Sequence, residues 1–287
     1  MEKIHLLIAR ARDFIKECVA MSNQMIGDGA VPVSKELLSV ASRLMYANNL
    51  SSDSAMLLVA NGRVWDASIL LRSVIEGTAK YCYILSAQSQ EEEGNRINEY
   101  HRELPRREMG SIEQCVANMS RSGDTCEEDF ANDPDIAALM KVVGAMKPKG
   151  GEGVALRQLQ SNWDFFKLSN TLKKTCPIWN AVAIQMEFRY AMCNALIHKT
   201  DTGCGEIADR MARNAPYRDL SDLAHCATIL TDICILWYLR TYMLTRRFSS
   251  QKRSIESVII NNKDFFMEFE NIKKDFDKMV AKEENQK

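Results

Sequence analysis

The sequence predicts an all-α protein, a multi-helix bundle that carries a helical insertion. Apolar residues recur at helical spacing along most of the chain, and no segment shows a clear strand pattern. The chain has 287 residues with only 13 Gly and 6 Pro, too few to favour short strands joined by tight turns. Its hydrophobic fraction of 46% and charged fraction of 26% are those of an ordinary soluble globular protein rather than a disordered one.

The predicted organisation is a single helical domain over residues 1–287 whose bundle core is interrupted once. Changes in polarity and helical periodicity along the chain place the boundaries of its parts. The parts are an N-terminal helix at 1–33, a bundle core at 34–87 and 155–248, a variable insertion at 88–154, and charged helices at 249–287.

The segment before the insertion predicts four helices. Residues 1–26 form a long amphipathic helix that GDGAVP ends. Ser34 begins a second helix, and SSD at 51–53 has the composition of an N-cap for a third. NGR at 61–63 then breaks the pattern. VWDASILLRSVIEGTAKYCYIL at 64–85 is a strongly helical run with one apolar face, which we interpret as a central helix.

The insertion is polar, and helical periodicity returns after it. It contains one helical segment, IAALMKVVGAM, and ends in KPKGGEG at 147–153. No Gly-Lys-Ser/Thr follows this glycine-rich stretch, so a plain linker is favoured over a phosphate-binding loop. NWDFFKLSNTLKKT predicts a helix, and Pro177 fits the first turn of a long one that Thr202-Gly203 ends.

The most apolar stretch lies between Ala224 and Leu244, but three polar residues interrupt it: His225, Asp232 and Arg240. A membrane span needs roughly 20 mostly apolar residues, so we interpret the stretch as a core helix and expect no membrane contact. The surrounding segment from Leu223 has enough apolar surface to supply a dimer seam. The tail from 254 to 287 predicts a shorter helix and a charged amphipathic one.

The predicted location is the cytoplasm. The N-terminal segment lacks the continuous apolar core of a signal peptide. The nine cysteines are odd in number and include no Cys-x-x-Cys pair, which suits reduced, buried thiols. The formal net charge is -1, so no overall basic field attracts nucleic acid or anionic lipid, and any such contact needs a local patch.

Two basic clusters are candidates for such a patch, although cations are also common on solvated helix faces and at helix C-termini. The first contains His101, Arg102, Arg106 and Arg107, and the second Arg240, Arg246, Arg247, Lys252 and Arg253. Neither the four histidines nor the cysteines have metal-ligand spacing, and the serine nucleophile elbow and the dinucleotide fingerprint are missing from the sequence. We therefore expect no metal and no cofactor.

The strongest local signal is LLRSVIEG, in which Arg72 and Glu76 are four residues apart. They lie about 40° apart on one helix face, within ion-pairing reach. A buried guanidinium needs a carboxylate, so one interpretation is a brace between core helices. The other is a clamp that faces a cleft and binds a phosphate or carboxylate.

The second signal is EFRYAMCNALIHKTD. Asn194 and His198 are four residues apart, Glu187 lies about 20° from His198 around the helix, and Tyr190 about 80°. A histidine near a helix C-terminus can serve as general acid or base when a neighbouring amide orients it. Alternatively, His198 hydrogen-bonds the last carbonyls of its helix and interacts with the helix dipole.

GRVWDASILLRSVIEG, followed much later by Tyr190, Asn194 and His198 ahead of Asp201, resembles a family of helical proteins of unknown function related to the HEPN (higher eukaryotes and prokaryotes nucleotide-binding) superfamily. The resemblance covers about residues 35–245, and the two short segments carry it. It implies a bundle of about five helices that dimerises.

Many HEPN proteins are metal-independent ribonucleases of toxin, abortive-infection and defence systems, so the resemblance implies a site at a dimer cleft. There a histidine promotes attack by the ribose 2′-hydroxyl, and an arginine a few residues before it holds the phosphate. His198 matches the histidine and Asn194 the polar member. Arg189, nine residues before His198, lies on the opposite helix face. Arg72 from another helix is the replacement that we consider.

The functional expectation is therefore a cytoplasmic HEPN-like homodimer that acts on RNA, as a metal-independent endoribonuclease of a prokaryotic defence or toxin-antitoxin system. In it His198 is the general acid or base, Asn194 and Tyr190 orient it or the substrate, and Arg72, held by Glu76, stabilises the phosphate. The alternative is a non-catalytic helical scaffold or sensor that keeps the fold and binds a partner protein or nucleotide.

Overall fold

The computed structural model describes residues 2–27, 34–106, 141, 152–248 and 255–284. Every regular element in these ranges is helical and none is a strand, which confirms the all-α prediction. The helices, in chain order, are α1 (Glu2–Gly27), α2 (Lys35–Ala60), α3 (Val64–Leu85), α4 (Gln90–Asn98), a π-helical turn (Glu99–Glu103), α5 (Glu152–Asn162), α6 (Phe165–Thr175), α7 (Pro177–Ile197), α8 (Asp201–Ala212), α9 (Ala215–Phe248), α10 (Glu256–Asn261) and α11 (Lys263–Glu284).

The chain forms two compact units. The first combines Met1–Ser86 with Ser169–Lys287, and the second is Ala87–Leu168. The second unit contains the predicted insertion, 88–154, and extends beyond it, so residues 155–168 belong with this unit rather than with the bundle core. The IAALMKVVGAM segment and most of the predicted linker lie outside the described residues.

Residues 35–60 form one helix, so the prediction of two helices separated at 51–53 is wrong. Ser34 is the N-cap, and its hydroxyl accepts a hydrogen bond from the Leu37 backbone N–H. The polar residues inside the helix bond back to its own carbonyls: the Asn48 amide donates to Leu44 O at 2.8 Å and the Ser52 hydroxyl to Asn48 O at 2.7 Å. Ser52 therefore satisfies its hydroxyl without opening the helix.

The break predicted at 61–63 is present as a tight turn between α2 and α3. Gly62 has a φ of 70°, a left-handed conformation that favours glycine. The two helices then pack against each other along their length. Gly77 of α3 lies directly against the Asn48 side chain of α2, where a β-carbon would overlap the amide. This close approach fixes which face of α3 is turned away from α2, toward α7 and α9.

The long helix α9 is the core of the first unit. It packs against α1, α3 and α11, and apolar residues along it are buried, among them Ile229, Leu230, Ile233, Leu236 and Leu239. By length and composition alone α9 also meets the requirement for a membrane span. Its burial inside a helical bundle agrees with the core-helix interpretation.

The turn between α7 and α8 differs from the prediction. Pro177 is in the first turn of α7, as expected, but Thr202 and Gly203 lie inside α8 instead of ending α7. The turn is made by Lys199, with a φ of 47°, and by Thr200, whose hydroxyl caps α8 by accepting from the Gly203 N–H at 3.3 Å. His198 is thus the C-cap residue that directly follows α7.

Candidate functional site

Four of the predicted site residues meet where α3 packs against α7. Arg72 and Glu76 are one helical turn apart on α3, and Tyr190 and Asn194 are one turn apart on α7. Because residues four apart share a helix face, the contact between the two helices brings both pairs together. Together with Lys80 they form a group that we call the Arg72 cluster.

All three guanidinium nitrogens of Arg72 have a partner in the cluster. Nε donates to Asn194 Oδ1 at 3.0 Å and Nη2 donates to the Tyr190 hydroxyl at 2.8 Å. Nη1 lies 3.3 Å from Glu76 Oε2. The guanidinium carbon also lies 4.7 Å from the centroid of the Tyr190 ring, within the range of a cation–π contact.

Glu76 joins the two cations of the cluster. Its Oε1 accepts from Lys80 Nζ at 2.7 Å, and its Oε2 accepts from the Tyr190 hydroxyl at 3.3 Å. Burial acts to raise the pKa of Glu76, but the adjacent Lys80 and Arg72 outweigh it, so the pKa lies below its ordinary value. With Glu76 ionised, the cluster carries one net positive charge.

The cluster is reachable from solvent. The side chains of Arg72, Glu76 and Lys80 are each 25% exposed, whereas Tyr190 is buried at 7%. The charged ends therefore face water at the edge of the α3–α7 contact, and the phenol ring forms the floor behind them. Such a half-exposed cationic site can contact an anion without complete desolvation of the charges.

His198 stands apart from this network. Its side chain is exposed, and its backbone N–H donates to Asn194 O at 3.1 Å at the end of α7. Within the described residues its imidazole makes no hydrogen bond to the Arg72 cluster or to any other group. The structure thus brings together Arg72, Glu76, Tyr190 and Asn194, and places His198 one helical turn beyond them, facing solvent.

Two other residues of the second sequence signal point elsewhere. Glu187 accepts from the Ser169 hydroxyl at 2.7 Å and pairs with Lys173 at 2.6 Å, so it does not share a site with His198. Arg189 pairs with Asp232 of α9, with 3.2 Å between Nε and Oδ2. Arg189 lies nine residues before His198, about 180° around the helix, so the two residues are on opposite faces of α7.

The described members of the two basic clusters named from the sequence do not all lie on the surface. Arg240 is completely buried, so it cannot contact a phosphate on the surface. In the second unit, His101 and Arg102 are exposed, and Arg106 pairs with Glu103 at 3.0 Å. Of the second cluster, Arg246 is exposed and donates to Thr175 O at 3.4 Å, and Arg247 is half-buried. Arg107, Lys252 and Arg253 lie outside the described residues.

Lys80 is the member of the cluster that the sequence analysis missed. The signal was present, because Lys80 follows Glu76 by four residues, the same spacing that singled out Arg72 and Glu76. Its presence changes the chemistry of the site, since a neutral ion pair becomes a group with an excess cation. In the described part of the chain, no three His, Cys, Asp or Glu side chains converge in a way that would hold a metal ion.

Comparison with known proteins adds no relative. No protein-family model, no curated protein and no solved structure matches the chain significantly.

Proposed function

We propose that this protein acts on RNA through the Arg72 cluster, with His198 as the general acid or base of a metal-independent endoribonuclease. The observation that supports this proposal is the net positive charge of a half-exposed cluster that lies one helical turn from an exposed histidine. An RNA strand offers a phosphate to such a cluster and a ribose 2′-hydroxyl to a neutral imidazole.

The proposed reaction needs only these groups. His198 removes the proton of the 2′-hydroxyl, and the resulting oxygen attacks the adjacent phosphorus. The bond from phosphorus to the 5′ oxygen breaks, leaving a 2′,3′-cyclic phosphate, and the 5′ oxygen takes a proton from the imidazolium or from water. Lys80 and Arg72 stabilise the charge that builds up on the phosphoryl oxygens, while Asn194 and Tyr190 hold Arg72 in place.

A second candidate function is a non-catalytic scaffold or sensor. It is favoured by the contacts that hold Arg72 in place, since each of its three nitrogens has a partner among Asn194, Tyr190 and Glu76. In this second function the cluster braces α3 against α7 and the net charge is incidental.

Incubation of end-labelled RNA with the purified protein in EDTA separates the two candidates. The ribonuclease proposal predicts cleavage with cyclic-phosphate ends by the wild type, loss of cleavage in His198→Ala, and full cleavage in His5→Ala. His5 is the matched control because it is an exposed histidine on α1. Cleavage that survives in His198→Ala excludes the proposed mechanism, and no cleavage by any of the three favours the scaffold.

Binding is tested apart from cleavage by the salt dependence of RNA affinity. Removal of one phosphate contact in Lys80→Ala reduces the slope of log affinity against log salt by about 0.7 for a single strand. Lys16→Ala is the control, since Lys16 is an exposed helical lysine that also pairs with a carboxylate, Asp13. An unchanged slope in Lys80→Ala contradicts phosphate binding by the cluster.

We further propose that two copies of the chain associate and that the protein belongs to a prokaryotic defence system. The surface that supports association is α7, whose outer face exposes Ile184 at 81% and Phe188 at 57% while its inner face packs on α3. Exposed apolar pairs of this kind are common at interfaces between copies. Sedimentation of the wild type and of Phe188→Ser tests this proposal: a dimer that the substitution does not weaken contradicts a seam on α7.

A further inference from the structure

A second site is present on the opposite side of α7 from the Arg72 cluster. A cavity of about 360 Å³ lies among α3, α7, α8, α9 and α11, within the first unit. Its volume is within the range of ligand pockets, ~300–1,000 Å³. No member of the Arg72 cluster lines it, so an inference about its ligand does not depend on that cluster. The cavity shares one residue, Phe188, with the proposed seam on α7.

The walls of the cavity are aromatic. Trp65 of α3, Phe188 of α7 and Phe276 of α11 line it from three helices. Phe188 is 57% exposed, so its ring also borders solvent. Three rings around one space favour a flat, unsaturated ligand, because stacked and edge contacts add to the burial of apolar area.

His225 lies on the inner wall, where Ser68 holds its ring. The Ser68 hydroxyl donates to Val64 O at 3.0 Å, so it receives the hydrogen bond that joins it to His225 Nε2, also 3.0 Å long. Nε2 therefore carries the proton, and Nδ1 keeps its lone pair. Burial lowers the pKa of His225 to about 4, and the charges of Arg210 and Arg189 add to this effect. At neutral pH the imidazole is an uncharged acceptor with a fixed tautomer.

Arg189 supplies a cation to the same cavity. Its Nε lies 3.2 Å from Asp232 Oδ2, while its two terminal nitrogens make no hydrogen bond within the described residues. The charged groups of opposite sign that line the cavity, Glu206 and Asp277, are on exposed positions, where solvent screens them. The half-buried guanidinium thus has open donors for a planar anion.

We propose that this cavity binds a small aromatic acid that carries a ring hydroxyl or N–H group. The ring packs among Trp65, Phe188 and Phe276, the carboxylate binds the terminal nitrogens of Arg189, and the ring donor binds Nδ1 of His225. Each of the three features selects one part of the ligand, so a molecule that lacks the acid or the donor binds more weakly.

Isothermal titration calorimetry with 4-hydroxybenzoate tests the proposal. The matched probes are 4-hydroxybenzamide, which lacks the charge, and benzoate, which lacks the ring hydroxyl. The wild type is expected to bind 4-hydroxybenzoate at least tenfold more tightly than either. Failure of the wild type to bind the acid, or equal affinity for the acid and its amide, overturns the proposal.

Variants assign each contact. Arg189→Gln is expected to lower the affinity for 4-hydroxybenzoate to that for the amide, and His225→Leu to abolish the preference over benzoate. Met192→Trp fills the cavity from α7 and is expected to abolish binding, whereas Met267→Trp, at a 48% exposed position of α11, binds as the wild type does. Circular dichroism shows that each variant is folded, and folded Met192→Trp that binds normally places the ligand elsewhere.

Discussion

Two arginines lie at the contacts that α3 makes with its neighbours, Arg72 where α3 packs on α7 and Arg240 where α9 packs on α3, and their charges are compensated differently. Arg72 is half-exposed and has a carboxylate, a phenol and an amide as partners. Arg240, on α9, is completely buried. Its Nη1 donates to the Thr78 hydroxyl at 2.7 Å, and its guanidinium carbon lies 4.8 Å from the centroid of the Trp237 ring.

The two arginines differ in how many hydrogen-bond and ion-pair partners compensate the guanidinium charge. Within the described residues, Nε and Nη2 of Arg240 have no hydrogen-bond partner and no carboxylate pairs with the guanidinium. Burial accordingly lowers the pKa of Arg240 to about 10. The face of α3 toward α7 thus holds a satisfied, accessible cation, and the face toward α9 holds a costly, inaccessible one. Accessibility and compensation together, rather than the residue type, make the first a candidate site.

The largest expected effect is in Arg72→Met. This change removes three polar contacts and leaves Asn194 and Tyr190 without their donor, so the free energy of unfolding is expected to fall by about 2–3 kcal/mol. Urea denaturation measures it. Arg43→Met, on an exposed position of α2 where the arginine bonds only Ser39, is the control, with a change below about 0.5 kcal/mol. Equal losses in both variants contradict the bracing role of Arg72.

Asp232 on α9 extends the comparison to a buried anion. It is fully buried and accepts from Gln185 Nε2 at 2.5 Å, and burial raises its pKa to about 6 against the opposing effect of Arg189. The folded state therefore holds a proton that the unfolded chain has lost between pH 4 and 6. The contribution of Asp232 to stability is present below about pH 4 and lost as pH rises through 6.

Asp232→Asn removes this dependence. The stability of the wild type minus that of the variant is expected to fall by roughly 2 kcal/mol as pH rises from about 4 to 6. Urea denaturation at four pH values measures this difference, and other titrating groups, His225 included, cancel because both proteins contain them. A difference that stays flat or rises with pH shows that Asp232 titrates near its ordinary pKa in the folded state.

A smaller effect on the free energy of unfolding is expected in Arg240→Met. Loss of the hydrogen bond to Thr78 is offset by removal of a buried charge that no carboxylate balances. We expect the free energy of unfolding to stay within about 1 kcal/mol of the wild type or to rise. Thermal denaturation followed by circular dichroism measures it. A loss as large as that of Arg72→Met would mean that Arg240 is as well compensated as Arg72.

The smallest effect is expected at Lys199, the residue that follows His198. Lys199 has a φ of 47°, so Lys199→Gly relieves backbone strain and is expected to raise the free energy of unfolding by about 0.5–1 kcal/mol. RNA cleavage by this variant is expected to match the wild type, because no side chain of the Arg72 cluster changes. A destabilised variant would show that the Lys199 side chain makes a contact worth more than the strain.

Helical periodicity was enough to predict the fold class and the central position of α3 and α9, because burial of one face imposes that period on the sequence. The i, i+4 spacing also selected Arg72 with Glu76 and Tyr190 with Asn194, and contact between α3 and α7 then joined the pairs. Spacing within one helix says nothing about a neighbouring helix, so the hydrogen bonds from Arg72 to Tyr190 and Asn194 were not predictable.

Predictions from short polar segments were wrong where contacts with other helices, or hydrogen bonds from a side chain to its own helix, decide the structure. Ser51 to Asp53 have the composition of an N-cap, yet Ser52 bonds Asn48 O inside α2. Arg240 was assigned to a surface cluster because it precedes Arg246 in an apparent basic run, but six residues of a helix rotate a side chain by about 120° away. A charge run counted along the sequence therefore mixes a buried side chain with exposed ones.

The position of α9 near the end of the chain has a consequence during synthesis. Ser22 of α1 meets Thr241 of α9 across 219 residues of sequence, and the apolar faces of α1 and α3 are also covered by this helix. The apolar faces of α1 and α3 therefore stay exposed on the nascent chain until most of the protein has been translated. Premature termination before α9 yields a fragment with the surface properties of a chaperone client.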